Sequence, residues 1–431
     1  FIAVGALIVI FTPRRGKLAT WKTMLLAQAG IMVAMIPLSI SWFQIFSPVG
    51  FVANLIAIPI VSLVVVPLTL AGMVLLPLST LLADPIIGLA GASVSGLLHL
   101  LQTLATLQGS LPQWAEPGTM TVILATMGGF LLLLPRGLPH RWLALFLFLP
   151  LFLPPASRSS TTTFQVDVLD VGQGTSVLIS TAHHSLLYDS GPGDGEGRDL
   201  VRSAILPTLR ALAPAGPEVI VISHGDLDHA GGIRSLAAQF NDARWISSLS
   251  IPASDSESTY ALAGIRSNRL CETELGWSWD TYAFQVLHPS SALPYRGNDS
   301  SCVISIRGQR FSMLLPGDIS SSVERRLLLD GLQPHGMLLV PHHGSKTSSS
   351  PEFLDRTQTE IAIATAGLGN RFGFPRPEVR ERFRSTGTSF LSTSDCGGIR
   401  AEVDDNGIMR IQSARRVRQR IWRWPAAGDC P

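Results

Sequence analysis

Four side chains of types that bind metal ions are crowded into six consecutive residues near the middle of the chain. The segment reads His224-Gly-Asp226-Leu-Asp228-His229 and follows the apolar run Val219–Ile222. Imidazole and carboxylate ligands in one set suit a borderline divalent cation such as Zn²⁺ or Mn²⁺. Without a cation the neighbouring carboxylates would repel each other, so the segment predicts a metal site on a loop after a buried strand. The weaker alternative is a solvated acidic turn before the next helix.

Two further segments offer the ligands that a second ion would need. Asp318 follows one apolar run, in Pro316-Gly-Asp318, and the pair His342-His343 follows another. A carboxylate between two cations about 3.5–4 Å apart can hold both, as two-metal hydrolytic sites require. An ordinary turn is the alternative for Gly-Asp. Because neighbouring side chains on a strand point in opposite directions, we expect one histidine to bind metal and the other to contact substrate or support the site.

The elements that must position these residues read as short β-strands with polar ends. Residues 164–168 alternate as a half-buried strand should, and they lead into Asp170-Val-Gly172-Gln173-Gly174. The run 186–188 ends at Asp189-Ser-Gly, and residues 199–213 have apolar side chains at helical spacing. A rigid sheet that carries polar residues along one rim is the usual arrangement of an enzyme.

Composition divides the chain into two parts. Of its 431 residues, 46% are hydrophobic and only 15% are charged, with a mean hydropathy of +0.32. These values exclude a disordered or fibrous protein and are too apolar for an ordinary soluble enzyme. Residues 1–157 hold six Lys or Arg and two acidic residues, whereas residues 158–431 hold 27 and 29. The first part therefore reads as membrane-embedded and the second as a water-soluble domain, while the net charge of +2 indicates no particular partner.

The first part contains five candidate membrane spans, at residues 24–43, 55–78, 86–107, 119–134 and 142–153. A span needs about 20 mainly apolar residues, and the first two meet that length without a charge. The cations cluster at residues 14–22 and 136–141, so both of these loops are expected in the cytoplasm. An even number of crossings between them agrees, and a fifth crossing at 142–153 would place everything after Ala156 outside. Because the chain opens with Phe1 inside an apolar run, we expect a spanning helix that begins before it.

Prolines recur through this part, at Pro37, Pro48, Pro59, Pro67, Pro77 and Pro85. Broken helices survive in lipid where neighbouring protein or a water-filled cavity satisfies the freed backbone groups. The pattern fits a bundle that lines a path, and it fits ordinary kinked packing equally well.

Six motifs occur in a fixed order along the second part. They are Leu169-Asp-Val-Gly-Gln-Gly174, Tyr188-Asp-Ser-Gly191, Ser223–Gly232, Asn298-Asp-Ser-Ser-Cys302, Leu315-Pro-Gly-Asp318 and Val340-Pro-His-His-Gly-Ser-Lys-Thr-Ser-Ser349. The metal motif resembles the metallo-β-lactamase superfamily. The ordered set resembles one branch, the C-terminal domain of ComEC-type DNA-internalisation competence proteins. The apolar part is similar to that family's competence transporter region, so the resemblance covers nearly the whole chain.

The resemblance implies a polytopic α-helical membrane domain at 1–156, an α/β metallo-β-lactamase-like αββα sandwich at 157–413 and a basic tail at 414–431. It implies an inner-membrane channel that passes single-stranded DNA during natural transformation. An extracytoplasmic metal-dependent hydrolase domain would degrade the strand that is not imported. The implied partners are DNA, the lipid bilayer and uptake machinery that includes a DNA receptor. A cytoplasmic ATPase is also expected, because the chain has no GxxxxGK[ST] phosphate loop.

The resemblance also implies roles for individual residues. His224 and Asp226 would hold one ion, and Asp228, His229 and one of His342 or His343 the other, with Asp318 bridging. Metal-activated water would then attack a phosphodiester, so Asp228, Asp318 and Asp189 are the predicted catalytic group. Five residues are expected to support the site: Asp170, Asp189, Gly172, Gln173 and Gly174. Three are expected to contact phosphate or DNA: Ser345, Lys346 and Asn298. Asn298 and Asp299 are also alternative metal ligands.

Three departures from the family pattern favour a rival hypothesis. The expected additional histidine has only His288 as a candidate, Thr175 replaces an acid, and Phe372-Gly-Phe374-Pro lacks an expected histidine. They favour a DNA-binding sandwich with decayed catalysis. A third hypothesis is a membrane-anchored metallo-hydrolase of another phosphate or ester, although a plain anchor does not need proline-broken spans.

Cysteines and the C-terminal tail leave their alternatives open. Cys271, Cys302, Cys396 and Cys430 allow three disulfide pairings, of which the sequence selects none, and buried free thiols fit equally. The tail combines arginines and tryptophans, among them Arg415, Arg416 and Trp422. That composition is typical of a single-strand binding surface or of attachment to anionic lipid, and an exposed tail without a role is the remaining alternative.

Overall fold

The computed structural model describes residues 20–43, 46–107, 117–134, 139–153, 162–194, 199–249, 265, 268–291, 294–417, 425–426 and 430–431. The chain divides into two compact units, Phe1–Ser157 and Arg158–Pro431. Each unit has its own secondary structure and its own buried clusters of apolar side chains.

The first unit is helical throughout its described residues. Its helices are α1 Thr20–Phe43, α2 Val49–Ile60, α3 Val66–Leu75, α4 Thr80–Leu107, α5 Thr119–Leu133 and α6 Leu149–Phe152. A π-helical segment, Val61–Val65, joins α2 to α3, and a 3₁₀ helix, Arg141–Phe148, precedes α6. Among the described residues, Val49–Leu75 and Thr80–Ala105 are long and apolar enough to cross a membrane by length and composition. Three apolar helices are shorter: Gln28–Trp42, Thr119–Leu133 and Arg141–Phe152.

The surface of this unit is strongly apolar. Leu63, Leu78 and Leu81 expose 75%, 76% and 82% of their area, and large apolar side chains exposed in such number indicate a contact with membrane or protein. Within the part of the chain that the structure describes, the predicted spans 55–78 and 86–107 coincide with the two helices that are long and apolar enough to cross a membrane. The number of crossings stays a prediction. The stretch 142–153 is mostly 3₁₀ helix rather than the regular α-helix that a span of that length requires.

The second unit contains two β-sheets. The first sheet is formed by β1 Thr162–Val168, β2 Val177–Thr181, β3 Ser185–Tyr188, β4 Val219–Ile222, β5 Arg244–Ser247, β6 Asn268–Leu270, β14 Ile399–Asp404 and β15 Met409–Ser413, in the order β15-β14-β1-β2-β3-β4-β5-β6. The second is formed by β7 Gly276–Trp279, β8 Tyr282–His288, β9 Val303–Arg307, β10 Ser312–Leu315, β11 Met337–Leu339, β12 Ile361–Ala364 and β13 Ser389–Ser392, in the order β13-β12-β11-β10-β9-β8-β7.

Helices cover the outer face of each sheet. The first is covered by a π-helical segment, Val201–Ile205, and by α7 Leu206–Leu212 and α9 Ile233–Ala237, with the short α8 Leu227–Ala230 between β4 and α9. The second is covered by α10 Ser321–Leu329, α11 Pro351–Thr357 and α12 Pro377–Ser385. Two short helices, α13 Thr393–Cys396 and α14 Ala414–Val417, complete the unit.

Alternation along the strands explains these layers. In β4, Val219 and Val221 join the core between the sheets, whereas Ile220 and Ile222 pack under the outer helices. A strand with apolar side chains on both faces is buried on both faces. The predicted αββα sandwich is therefore confirmed for this unit.

Parallel strands bring the polar strand ends of each sheet to one edge. In the first sheet β3, β4, β5 and β6 run parallel, and in the second β10, β11, β12 and β13 do. Asp189 follows β3 and Ser223 follows β4, whereas Asp318 and His343 follow β10 and β11. The topology thus delivers the predicted ligands at the carboxyl ends of strands from both sheets.

Both disulfides lie in this unit and settle the pairing that the sequence left open. Cys271 pairs with Cys302, and Cys396 pairs with Cys430. Cys271 directly follows β6 and Cys302 directly precedes β9, so the first bridge joins the two sheets. The second ties the chain's C-terminal end to α13.

One buried histidine away from the predicted metal ligands makes stability depend on pH. His335 is buried, and burial together with the positive charge of Arg307 lowers its pKa to about 4. The unfolded chain titrates near 6.5, so between these values only the unfolded state holds the proton and stability falls as pH decreases. We expect the second unit to lose roughly 3 kcal/mol between pH 6.5 and 4 through this group, and hydrogen exchange of β9 and β11 measures it.

The His335→Gln variant is expected to flatten that loss, whereas His183→Gln, at a largely exposed histidine, is expected to keep it. An equal loss in the wild type and the His335→Gln variant would contradict the assignment.

Candidate metal centre

His229 lies at the centre of the cluster and is fully buried. Its Nδ1 is 2.7 Å from the Asp189 Oδ2 atom, so the ring donates a proton to that carboxylate. The opposite nitrogen, Nε2, lies 3.2 Å from Asp318 Oδ1 and 3.1 Å from His343 Nε2. A carboxylate that fixes one imidazole nitrogen leaves the other with a free electron pair for a metal ion.

Asp189 positions this histidine rather than facing the centre of the cluster. It is buried in a left-handed conformation, with φ of 63°, at the end of β3. Its Oδ1 accepts the backbone N–H of Ser223 at 2.7 Å, and its Oδ2 accepts the Ser223 hydroxyl at 2.9 Å. With the bond to His229, Asp189 holds three donors at once, so it fixes the start of the metal-binding loop. None of the contacts of Asp189 among the described residues supports its predicted catalytic role, which stays a prediction.

The surroundings of His224 indicate whether the cluster suits a metal ion. The side chain is fully buried, and its Nδ1 lies 3.0 Å from the Ser223 hydroxyl. Its Nε2 is buried without a hydrogen-bond partner in the described part of the chain. A buried polar atom without a partner is costly and calls for an explanation such as an ion. The donor set around it, imidazole and carboxylate, fits a divalent cation.

The second sheet contributes Asp318 and His343. Asp318 is buried in the turn after β10, where its backbone N–H donates to the Ser301 hydroxyl at 3.0 Å. His343 Nδ1 lies 2.7 Å from the Thr365 carbonyl oxygen, to which it donates. Its Nε2 therefore turns inward, at 3.4 Å from Asp318 Oδ2 and 3.1 Å from Asp228 Oδ2.

The two adjacent histidines do not lie on a strand, which corrects the basis of that prediction. They occupy a short 3₁₀ turn, Pro341–Gly344, where His342 and His343 have positive φ values of 49° and 53°. His343 is buried, whereas His342 is a quarter exposed and has its Nε2 at 3.8 Å from Asp318 Oδ2. The turn, rather than strand alternation, separates the two rings.

Two sets of side chains, the metal-capable groups, each bring enough ligand atoms together to hold an ion, and both sets include His229. One contains His224, His229 and Asp318, and the other contains Asp228, His229 and His343, with the atoms of each group within 4.8 Å of one another. This division differs from the predicted one, which paired His224 with Asp226. The Asp226 side chain is 54% exposed, and its carboxylate stays 3.8 Å from His224 Nε2. At the amino end of α8, Asp226 points largely toward solvent.

The candidate ligands shift the pKa values of one another. Burial alone would lower the pKa of His229, but the Asp318 and Asp189 carboxylates raise it well above 6.5. Burial raises the pKa of Asp228, but the hydrogen bond from His343 and the nearby imidazoles lower it to about 2. The two carboxylates therefore favour the protonated form of His229 while no ion is bound. Metal binding must release that proton, so the affinity for an ion falls as pH decreases.

The predicted Gly-Gln-Gly turn supports the loop that carries Asp228. Gly174 has a φ of +142°, and a Cβ atom at this position would lie 2.4 Å from the Asp228 carbonyl oxygen. The following N–H, that of Thr175, donates to the same carbonyl at 3.0 Å. Thr175, which replaces an acid of the family pattern, thus holds the candidate ligand Asp228 by its backbone.

Gly174→Ala is expected to displace Asp228 and to weaken metal binding at the group that contains it, by about 10–100-fold. Equilibrium dialysis with Mn²⁺ measures this. The matched control is Gly369→Ala, because that glycine also has positive φ but nothing lies within 4 Å of its Cβ position. Equal affinities of the two variants would contradict the role of Gly174.

The structure gives several predicted residues other contacts. Arg415 donates to the Ser394 carbonyl and pairs with Asp170 at 3.5 Å, so its guanidinium helps to hold the domain together. Lys346 forms an exposed ion pair with Glu378 at 2.7 Å, and Ser345 is buried beside Thr347. Asn298 lies 3.5 Å from His342 Nε2, Arg416 is exposed, and Trp422 lies outside the described residues.

His288 and Asp299, the alternative ligands considered from the sequence, form hydrogen bonds outside the cluster. His288 Nε2 donates to the backbone carbonyl of Asp299 at 2.7 Å, and the Asp299 carboxylate accepts from the Ser320 N–H. Neither residue belongs to the metal-capable groups found among the described residues. Ser223, Ser301 and Thr365, which sequence reasoning missed, orient the ligands instead. Ser223 and Ser301 stand in two of the six motifs without a role assigned to them, and Thr365 is indicated only by its position after an apolar run.

Comparison with known proteins follows the same division of the chain. Residues 1–139 match the family described as Competence protein, and residues 169–367 match the metallo-β-lactamase superfamily. The chain therefore resembles a competence-protein region followed by a metallo-β-lactamase domain. The resemblance seen in the motifs is thereby confirmed, and so is a metal-dependent hydrolase fold in the second unit.

Relatives match over most of the chain. "Uncharacterized protein YcaI" of Escherichia coli is 31% identical over 92% of this chain, and "Competence protein ComA" of Neisseria gonorrhoeae is 32% identical over 86%. "ComE operon protein 3" of Bacillus subtilis is 25% identical over 91%. The chain spans about half the length of these relatives, 50% of the first two and 51% of the third.

Proposed function

We propose that this chain acts in DNA uptake during natural transformation and that its second unit is a metal-dependent phosphodiesterase. The apolar unit, residues 1–156, would form a multi-pass part of the inner membrane through which a single DNA strand passes. The sandwich, residues 157–413, would hydrolyse the strand that is not imported. The match to competence proteins supports the uptake role.

One observation carries the enzymatic part of the proposal: two metal-capable groups converge on His229 in a buried cluster. His224, His229 and Asp318 would hold one ion, and Asp228, His229 and His343 a second. Zn²⁺ or Mn²⁺ held there would supply Lewis-acid polarisation of a phosphoryl oxygen and lower the pKa of bound water. Asp189 and Thr365 keep the two imidazoles in the tautomers that binding requires. His342, partly exposed beside Asp318, would contact the phosphate.

Location and partners follow from the same proposal. Two disulfides in the sandwich favour an oxidising compartment, which is the extracytoplasmic side of the membrane. The residues after 413, including Arg416, would contact DNA or anionic lipid. A DNA receptor on the outside and an ATPase in the cytoplasm would complete the uptake machinery.

The test is cleavage of single- and double-stranded DNA by the full chain in detergent, with and without Mn²⁺ or Zn²⁺. We expect cleavage that requires the ion and that His229→Ala abolishes. The matched control is His183→Ala, because that histidine is exposed and pairs only with Asp280 among the contacts described. Metal-loaded protein that cleaves neither form of DNA would refute the enzymatic proposal.

A second candidate is a sandwich that binds DNA without cleaving it. Phe374 favours it, because its ring stacks at 6.4 Å on the ligand His343 where the family pattern has a histidine. This candidate requires that Asp228→Ala impair neither cleavage nor uptake.

A further inference from the structure

A cleft of about 480 Å³ opens directly beside the metal centre. Asp228, a member of the second metal-capable group, forms part of its wall, together with Leu227 from α8. Arg371 and Phe372 form another part, and Gln173 of the Gly-Gln-Gly turn a third. Leu227 and Phe372 expose 47% and 40% of their area, so both side chains are accessible to a ligand in the cleft.

Aromatic rings run from the metal centre to this cleft. His343 stacks on Phe374 with centroids 6.4 Å apart and an angle of 22°. Phe374 stacks on Phe372 at 5.5 Å and 17°, and the Arg371 guanidinium lies 4.7 Å from the centre of the Phe372 ring. The series therefore begins at a metal-site imidazole and ends at an exposed ring with a cation above it. Arg371 forms no ion pair in the described part of the chain.

The loop that presents these rings is held in place. The Asn370 side chain donates to the carbonyl oxygens of Gly367 at 2.9 Å and Phe374 at 2.6 Å, and it accepts the Phe374 N–H at 3.0 Å. A loop fixed in this way loses little conformational entropy when a ligand binds.

Gln173 adds an unused donor. Its Oε1 accepts the Gly367 N–H at 3.4 Å, which fixes the orientation of the amide. Its Nε2 is buried and has no hydrogen-bond partner among the described residues. A buried amide donor without a partner is costly unless a ligand supplies an acceptor.

We propose that this cleft binds an unpaired nucleobase of the DNA strand whose phosphodiester lies at the metal centre. The base stacks on Phe372 in the place that the Arg371 guanidinium now occupies, and one of its carbonyl oxygens accepts from Gln173 Nε2. Arg371 then leaves the ring and contacts a neighbouring phosphate. This inference rests on the proposed phosphodiesterase function and names its substrate class as single-stranded DNA. A paired base cannot stack on the ring without leaving its partner, so the cleft discriminates against duplex.

The test is a binding measurement on the full chain in detergent with EDTA, so that no cleavage occurs. Fluorescence anisotropy compares a labelled thymidine tetranucleotide with an abasic tetranucleotide of the same charge. Stacking contributes about 1–3 kcal/mol per base, so we expect Phe372→Ala to weaken binding of the thymidine strand roughly 5- to 150-fold and binding of the abasic strand less than twofold. Phe372→Trp is expected to restore the affinity.

Two controls separate folding and function from stacking. Phe372→Leu keeps an apolar side chain in the loop and is expected to show the same loss as Phe372→Ala, whereas Leu329→Ala, at a residue on α10 with 80% exposure, is expected to have no effect. Equal binding of both strands by the wild type, or an unchanged affinity of Phe372→Ala for the thymidine strand, would overturn the inference. Cleavage with Mn²⁺ is measured separately, so its absence refutes the phosphodiesterase and leaves base-dependent binding as an independent result.

Discussion

Asp318→Asn is expected to lower the affinity of the centre for Mn²⁺ or Zn²⁺ by more than about 100-fold and to abolish metal-dependent cleavage. The Asp318 carboxylate faces His229 Nε2 with one oxygen and His343 Nε2 with the other, at 3.2 and 3.4 Å. Asp318 belongs to the first metal-capable group and also faces His343, a member of the second. An amide in its place removes a negative charge and presents a donor to atoms that must stay free for the ion.

Calorimetric titration of the full chain with Mn²⁺ measures this effect. Asp330→Asn is the matched control, because that carboxylate is exposed and pairs only with Arg326 in the ion pairs described. If Asp318→Asn bound the ion as tightly as Asp330→Asn, the assignment of the centre would be wrong.

Asp189→Asn is expected to weaken metal binding by about 10–100-fold and to destabilise the second unit by about 1–3 kcal/mol. The carboxylate of Asp189 accepts three hydrogen bonds, from the Ser223 N–H, the Ser223 hydroxyl and His229 Nδ1. An asparagine can offer only one oxygen, so in either orientation its NH₂ group faces a donor. If the NH₂ group faces His229, the ring proton moves to Nε2 and blocks the ligand atom.

Asp167→Asn separates the two effects, because Asp167 is also buried in the first sheet but pairs with Arg400 and lies outside the metal-capable groups. We expect its unfolding free energy to change while its Mn²⁺ affinity stays that of the wild type. The positioning role of Asp189 is contradicted if both variants lose stability and neither loses affinity.

Much of the sandwich could be predicted because its strands are short apolar runs with polar ends. The run Val219–Ile222 followed by His224, Asp226, Asp228 and His229 identifies both a buried strand and a ligand loop. The grouping of the candidate ligand atoms could not be predicted. It depends on the distance between His229 and Asp318, which follow strands of different sheets and are brought within 3.2 Å only by the packing of those sheets.

Local backbone geometry explains two further differences. Strand alternation was applied to His342 and His343, but positive φ values at both residues replace the strand by a turn. The cysteine pairing depends on which strand ends meet, as Cys271 and Cys302 do across the two sheets. In the apolar unit, hydrophobic length alone does not show where a helix becomes 3₁₀, as it does at Arg141–Phe148.

Because the candidate ligands follow strands of both sheets, an ion bound there would hold the two halves of the sandwich together. Asp228 and His229 lie on α8, after β4 of the first sheet, whereas Asp318 and His343 follow β10 and β11 of the second. An ion that binds only the assembled halves adds its binding free energy to that of folding, about 2.7 kcal/mol when its free concentration is 100 times Kd. The yield of mature protein would then follow the supply of that ion in the compartment where the chain folds, and a chelator would lower the stability of the folded unit as well as its activity.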